Sequence, residues 1–192
     1  MCCRYSVKRE TNLEAFQLLG INPRFVPVWN EKTVTPGGSG LLVFGDNKLL
    51  TANEAIWGFP GKDKSLVINA RAESALVKPM FSSSLQNRRC ILPASCFYEW
   101  DSEKNKYTFK DSDKNVIYLA GFWNMIDDVM RFVVLTTAAN ESMIKVHDRM
   151  PLMMDINDVE PWIFNDKDAE KLLTKEMPML TSSCENEQIS MF

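Results

Sequence analysis

The sequence predicts an α+β protein: a β-rich single domain with a curved antiparallel sheet or open barrel and flanking helices. Its 192 residues, 45% of them hydrophobic and 24% charged, suffice for one domain with its own core. Many short apolar or alternating runs predict strands, whereas helical patterns are few and scattered. A doubly wound parallel sheet is disfavoured because regular alternation of strands and long helices is missing. We expect the domain to span residues 1–176 and residues 177–192 to form a polar tail.

The individual elements are predicted from caps, alternation and turn residues. Thr11, with Glu14 three residues later, forms a capping-box pattern that predicts a short helix ending at Gly20. A hairpin is predicted where residues 41–44 and 48–51 flank Gly-Asp-Asn. Further strands are expected at residues 24–29, 66–69, 89–92, 97–100, 107–110, 116–122 and 131–137. Further helices are expected at residues 71–77, 140–146 (capped by Asn140), 158–164 and 168–175.

Charge is distributed unevenly along the chain. The net charge is −3, but residues 155–192 carry nine acidic and three basic side chains, so the preceding residues are net positive. This argues against a protein that coats nucleic acid by bulk charge, while leaving room for a local basic groove. No apolar run approaches the roughly 20 residues of a membrane span, and the first ten residues lack the apolar stretch of a secretory signal. We therefore expect a cytoplasmic protein with no membrane partner, associated with the nucleoid if bacterial.

Cysteine and histidine usage disfavours several kinds of site. The five cysteines are an odd number with no CxxC spacing, which gives little support to a disulfide framework or a zinc knuckle. His147 is the only histidine, so a His-rich metal site cannot be built. We expect no metal and no cofactor.

Cys2 follows the initiator methionine directly. A residue this small normally permits removal of the methionine, which would leave a free α-amine and a thiol on adjacent carbons. Their unperturbed pKa values are about 7.7–8.0 and 8.5, so part of the amine is neutral at physiological pH. Such a 1,2-aminothiol condenses with an aldehyde to a Schiff base that the thiol closes into a thiazolidine. Taken alone, however, the residue is better explained as an incidental cysteine in a frayed N-terminus, which is the commoner state of chain ends.

Two further segments hold candidate polar residues. Asn69 could hold a polar ligand group and Arg71 a phosphate, although Asn at a strand end is usually a turn or cap residue. His147, between a predicted helix end and a strand, is a candidate proton shuttle, although a lone histidine is more often structural. Arg149 beside it could bind a second phosphate.

Glu99 lies among aromatic residues in the strand-like run 97–100. If it faces inward it is a candidate general acid/base, and if it faces outward it is an ordinary solvated carboxylate. Strand alternation allows either orientation. Trp100 or Phe97 could offer a face on which a nucleobase stacks, although most such aromatics belong to the core.

Taken together, these motifs resemble the SOS-response-associated peptidase (SRAP) family of abasic-site processing proteins. The matching motifs are Met-Cys-x-Arg at the start, Trp-Gly-Phe at 57–59, Asn-Ala-Arg-Ala-Glu at 69–73, Arg-Arg-Cys at 88–90, Phe-Tyr-Glu-Trp at 97–100 and His-Asp-Arg-Met-Pro at 147–151. The resemblance runs from Cys2 to about Phe164. It implies a β-rich fold and an enzyme of the DNA damage response that shields abasic sites in single-stranded DNA by covalent crosslinking. It also implies self-reversal, lyase-like and initiator-methionine-removing activities.

The resemblance further implies a role for each matching residue. Cys2 would be the nucleophile after methionine removal, and Asn69 would position the N-terminal residue and the opened sugar. Glu99 would act as general acid/base in sugar ring opening and in reversal of the link, and His147 would assist proton transfer. The remaining matches would contact DNA: Arg4, Arg71 and Arg149 at backbone phosphates, and Trp57 with Trp100 at the binding face.

This sequence departs from the family pattern at three places. Cys3 stands where the family usually has Gly, and Ala94-Ser95-Cys96 stands in place of Ala-Asp-Gly, so both turns lose the conformational freedom of glycine. Cys3 has no free amine and cannot close the thiazolidine ring, so we predict that it is dispensable. Residues 22–40 match the family poorly, which leaves any DNA contact made there in doubt.

Two other classes of function use the same residues. Cys2 could be the N-terminal nucleophile of a hydrolase or peptidase, with His147 or the α-amine as base, although the sequence shows no oxyanion-hole signature. Alternatively, the chain could be a non-catalytic binder of single-stranded DNA in which Cys2 has no role. We expect a monomer whose partner is single-stranded DNA containing abasic sites.

Overall fold

The computed structural model describes residues 2–21 and 30–185. The helices within these ranges are α1 Arg9–Leu18, α2 Ala72–Ala75, α3 Ser82–Asn87, α4 Val159–Phe164 and α5 Asp166–Leu172, with 3-10 turns at Lys62–Lys64 and Ile156–Asp158. The strands are β1 Arg4–Lys8, β2 Glu31–Val34, β3 Ser39–Asp46, β4 Leu49–Trp57, β5 Phe59–Pro60, β6 Leu66–Val67, β7 Asn69–Arg71, β8 Arg89–Ala94, β9 Cys96–Trp100, β10 Lys106–Lys110, β11 Ile117–Ile126, β12 Val129–Ala138, β13 Arg149–Pro151, β14 Met153–Met154 and β15 Thr181–Cys184.

The strands form two main sheets. The smaller sheet has the order β15-β10-β9-β1-β2, and all its pairings are antiparallel. The larger sheet has the order β13-β12-β4-β3-β8-β11-β14, and β11 also pairs with β12, so its central strands close into a ring. Two short pairings, of β12 with β4 and with β7, are parallel. The predicted α+β class with a curved sheet and flanking helices is confirmed, and the barrel is closed instead of open.

Alternate residues of the larger sheet belong to two hydrophobic clusters. Val43, Val133 and their neighbours pack with the helices, whereas Leu42, Val134 and their neighbours pack with the smaller sheet. The close approach of the two sheets requires glycine at position 40, because a Cβ there would lie 2.2 Å from the hydroxyl oxygen of Tyr5. The N-terminal strand is therefore pressed against the barrel, which fixes the position of the residues just before it.

Local sequence patterns predicted most of these elements. The predicted hairpin is β3–β4, and its turn residues Asn47 and Lys48 both have positive φ. The predicted strands from residue 89 to 137 correspond to β8–β12, and the helices of residues 71–77, 158–164 and 168–175 to the shorter α2, α4 and α5. The strand predicted at 24–29 lies outside the described residues.

Three local predictions were wrong. Helix α1 begins at Arg9, so Thr11 is not its cap; Thr11 is buried and its hydroxyl lies 2.7 Å from the hydroxyl of Ser95. In place of the helix predicted at residues 140–146, residues 141–146 form consecutive turns. The chain beyond residue 177 is not wholly a loose tail, because β15 adds to the edge of the smaller sheet and Leu180 is buried. None of the helices described is long and apolar enough to cross a membrane.

Candidate active site at the N-terminus

Cys2 lies directly before β1 and has no exposed surface. Its backbone carbonyl accepts a 2.7 Å hydrogen bond from Nδ2 of Asn69, and its thiol faces the carbonyl of Arg4 at 3.8 Å. Asn69 belongs to β7, which pairs with β12, so the side chain that holds Cys2 stands on the larger sheet. The two sheets together therefore fix the N-terminal residue that the sequence singled out.

The amide of Asn69 has a second polar atom at the same place. Because a carbonyl oxygen can only accept, the atom facing Cys2 must be the Nδ2 donor, which leaves Oδ1 as the acceptor. Oδ1 is buried and has no hydrogen-bond partner among the described residues. Asn69 can therefore hold Cys2 with one atom and accept a hydrogen bond from another donor with the other.

Burial is the main influence on the two cysteine thiols. It raises the pKa of the Cys2 thiol far above the usual range, and the nearby carboxylate of Glu99 raises it further. The pKa of the Cys3 thiol is raised by the same two causes, although Cys3 is only half-buried. Both thiols are therefore protonated at neutral pH, and neither resembles the low-pKa thiolate of a cysteine hydrolase.

Glu99 points inward from β9. Side chains alternate along a strand, and Phe97, two residues earlier, stacks on Phe109 in the core with ring centroids 5.3 Å apart. Glu99 shares that face and is only 3% exposed. Of the two orientations that the sequence allowed, the structure has the inward one, and Glu99 lies close enough to Cys2 to affect its thiol.

The imidazole of His147 has two neighbours at Nδ1. The backbone N–H of Arg149 donates to Nδ1 at 3.0 Å, and Oδ1 of Asp148 lies 2.9 Å from the same atom. A neutral ring that accepts from Arg149 carries its proton on Nε2, whereas a charged ring can donate from Nδ1 to Asp148. Nδ1 therefore has a hydrogen-bond partner whether the ring is neutral or charged.

Arg149 is held by protein groups. Its guanidinium forms a bidentate pair with Glu73, at 2.7 and 2.9 Å, and also donates to the carbonyl of Thr136 at 2.7 Å. The hydrogen bonds from Arg149 hold the pKa of the Glu73 carboxyl below its usual value. The prediction of Arg149 as a freely available phosphate ligand is corrected, since a phosphate would have to replace Glu73. Arg71, in contrast, is exposed.

The two predicted DNA-contacting tryptophans occupy different environments. The prediction that Trp57 lies at the DNA-binding face is wrong. Trp57 has no exposed surface, stacks on Phe132 and donates from its indole N–H to the carbonyl of Ile68. Trp100 is partly exposed, and the guanidinium of Arg4 lies over its ring at 5.1 Å. Trp57 contributes packing behind β1, whereas Trp100 and Arg4 are available at the surface.

Strand β12 connects the predicted site residues. Its Val134 pairs with Asn69 on one side, and its Ala138 pairs with Arg149 on the other. Sequence reasoning included Glu73 in a motif but gave it no role, because its partner Arg149 lies 76 residues away. The described residues contain no group of three or more His, Cys, Asp or Glu side chains suited to a metal ion.

The Arg-Arg-Cys motif at residues 88–90 has a structural role. The buried guanidinium of Arg89 donates to carbonyls of Leu85, Gln86, Trp162 and Ile163 and pairs with Asp166 at 2.8 Å. It therefore joins α3 to the end of α4 and the start of α5, on the side of the sheet that carries the helices.

The fold and this site define an SRAP protein. Residues 1–191 match the model of the family described as SOS response associated peptidase (SRAP), and the chain belongs to that family. Among curated relatives, abasic site processing protein YoqW of Bacillus subtilis is 30% identical over 182 residues, 85% of this chain and 80% of that protein. Abasic site processing protein YedK of Escherichia coli is 30% identical over 139 residues, 68% of this chain and 63% of that protein.

Solved structures show the same fold. A phage-related protein of Bordetella bronchiseptica superposes with a TM-score of 0.78 at 20% identity, over 97% of this chain and 95% of that one. A protein of Bacteroides thetaiotaomicron superposes with a TM-score of 0.76 at 17% identity, over 95% and 91% of the two chains.

Proposed function

We propose that this chain processes abasic sites in single-stranded DNA by forming a thiazolidine crosslink through Cys2. The observation that carries the proposal is the partly buried hydrogen bond from Asn69 to the carbonyl of Cys2, which holds the N-terminal residue beside Glu99. A terminus ordered in this way suits a reaction at the α-amine, because a freely moving amine gains nothing from orientation. Family membership and the names of the curated relatives support the same substrate.

The reaction begins with removal of the initiator methionine: one water hydrolyses the bond between residues 1 and 2, free methionine leaves, and the α-amine of Cys2 is exposed. The α-amine of Cys2 then attacks the aldehyde of the ring-opened deoxyribose, and loss of one water gives the Schiff base. The thiol sulfur adds to the imine carbon while its proton passes to the nitrogen, closing the five-membered ring. The aldehyde and the aminothiol therefore become thiazolidine and water.

The protonated state of the Cys2 thiol sets the order of these steps. Burial and Glu99 raise the pKa of the thiol, so at neutral pH the sulfur is a poor nucleophile toward the free aldehyde. The amine has an unperturbed pKa near 7.7–8.0 and is partly neutral there. We therefore assign the first attack to nitrogen, with the sulfur reacting only after the more electrophilic imine has formed.

The surrounding residues supply proton transfer and positioning. Glu99 acts as general acid/base in opening the sugar and, in the reverse direction, in releasing it, while His147 assists proton transfer. The free Oδ1 of Asn69 accepts a hydrogen bond from the α-amine or from a sugar hydroxyl. Arg4 and Arg71 bind flanking phosphates, so affinity falls as salt increases.

The alternative functions are less well supported. A cysteine hydrolase needs a thiolate at working pH, which the raised pKa of Cys2 disfavours. A purely non-covalent binder gives no reason for Asn69 to hold the backbone of residue 2. Peptide turnover by the trimmed protein would favour the former, and equal salt-reversible binding to intact and abasic strands the latter.

The test is a denaturing gel of the trimmed protein with a single-stranded abasic oligonucleotide. The wild type is expected to give a covalent adduct, and Cys2→Ala or an uncleaved N-terminal extension none. Cys3→Ala is the matched control, since it removes the adjacent thiol, and it is expected to retain the adduct. A normal adduct with Cys2→Ala, or its loss only with Cys3→Ala, contradicts the proposal.

A further inference from the structure

Glu73 and Arg149 form an ion pair that crosses strand β12. Glu73 belongs to α2, which directly follows β7, and β7 pairs with β12 on one side. Arg149 begins β13, which pairs with β12 on the other side. The bidentate contact, with N–O distances of 2.7 and 2.9 Å, therefore joins the two neighbours of β12 directly, in addition to their backbone bonds with it. We call this pair the Glu73–Arg149 clamp.

A third hydrogen bond fixes the point at which the clamp crosses the strand. The guanidinium of Arg149 also donates to the carbonyl of Thr136 at 2.7 Å. Thr136 pairs with Arg71 of β7 and with Pro151 of β13, so it lies on β12 between the two elements that the clamp joins. Three N–H groups of one planar guanidinium are thereby occupied, which holds the Arg149 side chain in a single orientation.

Each end of the clamp leads to a residue of the candidate active site. On the β7 side, Glu73 lies four residues after Asn69, whose Nδ2 holds the carbonyl of Cys2. On the β13 side, the backbone N–H of Arg149 donates to Nδ1 of His147 at 3.0 Å. The clamp therefore connects the segment that orders the N-terminus with the segment that carries the histidine.

We propose that Glu73 is a positioning residue of the proposed reaction and holds His147 in place relative to Asn69 through the guanidinium of Arg149. The proposal rests on the proposed function, in which Asn69 orients the N-terminus and His147 assists proton transfer at the same sugar. Both tasks depend on distance, because a misplacement of about 1 Å can lower a rate by about 100-fold. Glu73 acts through Arg149 and takes no proton itself.

The environments of the two partners suit this role. The Arg149 side chain is 11% exposed and that of Glu73 is 53% exposed, so the arginine is anchored in the protein and the carboxylate closes over it from the surface. Hydrogen bonds from Arg149 hold the pKa of the Glu73 carboxyl below its usual value, so the carboxylate is ionised at neutral pH. Without it, a nearly buried guanidinium would lose two acceptors and would be driven to turn toward other ones.

The first measurement separates rate from affinity. Single-turnover crosslinking to an abasic oligonucleotide is followed at increasing protein concentration, which gives a maximal rate and a half-saturating concentration. Glu73→Gln is expected to lower the maximal rate about tenfold and to leave the half-saturating concentration within about twofold. Glu54→Gln is the matched control, because its carboxylate is 55% exposed and pairs with Lys32 at 3.4 Å, and it is expected to match the wild type in both quantities.

The second measurement needs no DNA. His147 is the only histidine of the chain, so its imidazole nitrogens give one set of signals in a long-range proton–nitrogen correlation spectrum of untagged protein. In the wild type, an Nδ1 that accepts from the N–H of Arg149 places the proton of the neutral ring on Nε2. Glu73→Gln is expected to shift both nitrogen signals toward the average of the two tautomers, and Glu54→Gln to leave them in place. A merely destabilising substitution would lower Tm without moving these signals in the folded protein.

A second variant acts on the other partner of the clamp. Arg149→Lys keeps the positive charge but replaces the planar fork that binds both carboxylate oxygens. It is expected to shift the His147 signals in the same direction as Glu73→Gln. In the double variant the two substitutions are expected to be less than additive, since both break the same contact.

The outcomes distinguish this proposal from the proposed function. The His147 signals are recorded without DNA, so they test the clamp even if the wild type forms no adduct. Signals that stay at their wild-type positions in folded Glu73→Gln overturn the positioning role, as does a wild-type maximal rate in that variant. A lower half-saturating concentration at an unchanged maximal rate would mean that Glu73 shields Arg149 from phosphate, which contradicts the proposal as well.

Discussion

Replacement of Asn69 tests whether the order of the N-terminus limits crosslinking. Its Nδ2 makes a 2.7 Å hydrogen bond to the buried carbonyl of Cys2. Asn69→Ala leaves that carbonyl unsatisfied, at a cost of about 1–3 kcal/mol. If this free energy is added to the activation barrier of crosslinking, the single-turnover crosslinking rate falls about fivefold to 150-fold.

The isosteric Asn69→Asp is the sharper variant. It keeps the shape of the side chain but brings a carboxylate oxygen against the carbonyl of Cys2, so repulsion adds to the lost hydrogen bond. We expect the rates to follow the order wild type, then Ala, then Asp, measured as adduct formation over time on denaturing gels with protein in excess. Cys3→Ala serves as the control, and thermal melting reports whether each variant is folded. An Asp variant as fast as the Ala variant, or two variants at the wild-type rate, would refute the positioning role.

Three further predictions concern Glu99, Arg89 and Glu73. Glu99→Gln should slow both adduct formation and adduct release, followed by gel and by chase with excess competitor; unchanged rates would remove Glu99 from the mechanism. Arg89→Met leaves several buried carbonyls unpaired, so it should cost at least about 3 kcal/mol and lower Tm by about 6–12 °C, whereas Arg88→Met should cost far less. The pKa of Glu73 is lowered in the fold, so its contribution to stability is present above its unfolded pKa of about 4.5 and is lost as pH falls through the folded value; Glu73→Gln should remove this acid-dependent loss in melting curves from pH 7 to 3.

The sequence predicted the features that depend on residues close together in the chain, such as turns and strands. The hairpin was found because Gly-Asp-Asn at residues 45–47 is typical of a turn, and the strands because apolar residues recur at period two. Lys48, expected to begin the second strand, belongs to the turn and has positive φ. The proposed chemistry of Cys2 could be inferred from the sequence because an aminothiol at the N-terminus follows from the position of the residue alone. Whether Glu99 faces inward could not be decided from the sequence, because alternation fixes relative orientation and not the buried side.

Contacts distant in sequence were missed. Nothing near Arg149 indicated that Glu73 would bind it, and nothing near Trp57 separated a core indole from one that contacts DNA. The polar composition of residues 181–184 suggested a tail, but the strand is an edge strand whose stability comes from backbone bonds to β10 and does not depend on burying its side chains. In each case the structure depends on a contact with a residue far away in the sequence, which no local pattern indicates.

The central position of β12 restricts how the length of this chain can vary. Asn69 pairs with Val134 and Arg149 pairs with Ala138, so the number of residues between these two points of β12 sets the distance along the strand between Asn69 and Arg149. One residue inserted between those points would reverse the facing of the later side chains of β12 and shift Arg149 along the strand relative to Asn69. Related sequences of different length should therefore place their extra residues in the exposed turn at Asp127 and Asp128, and leave the interior of the strand at constant length.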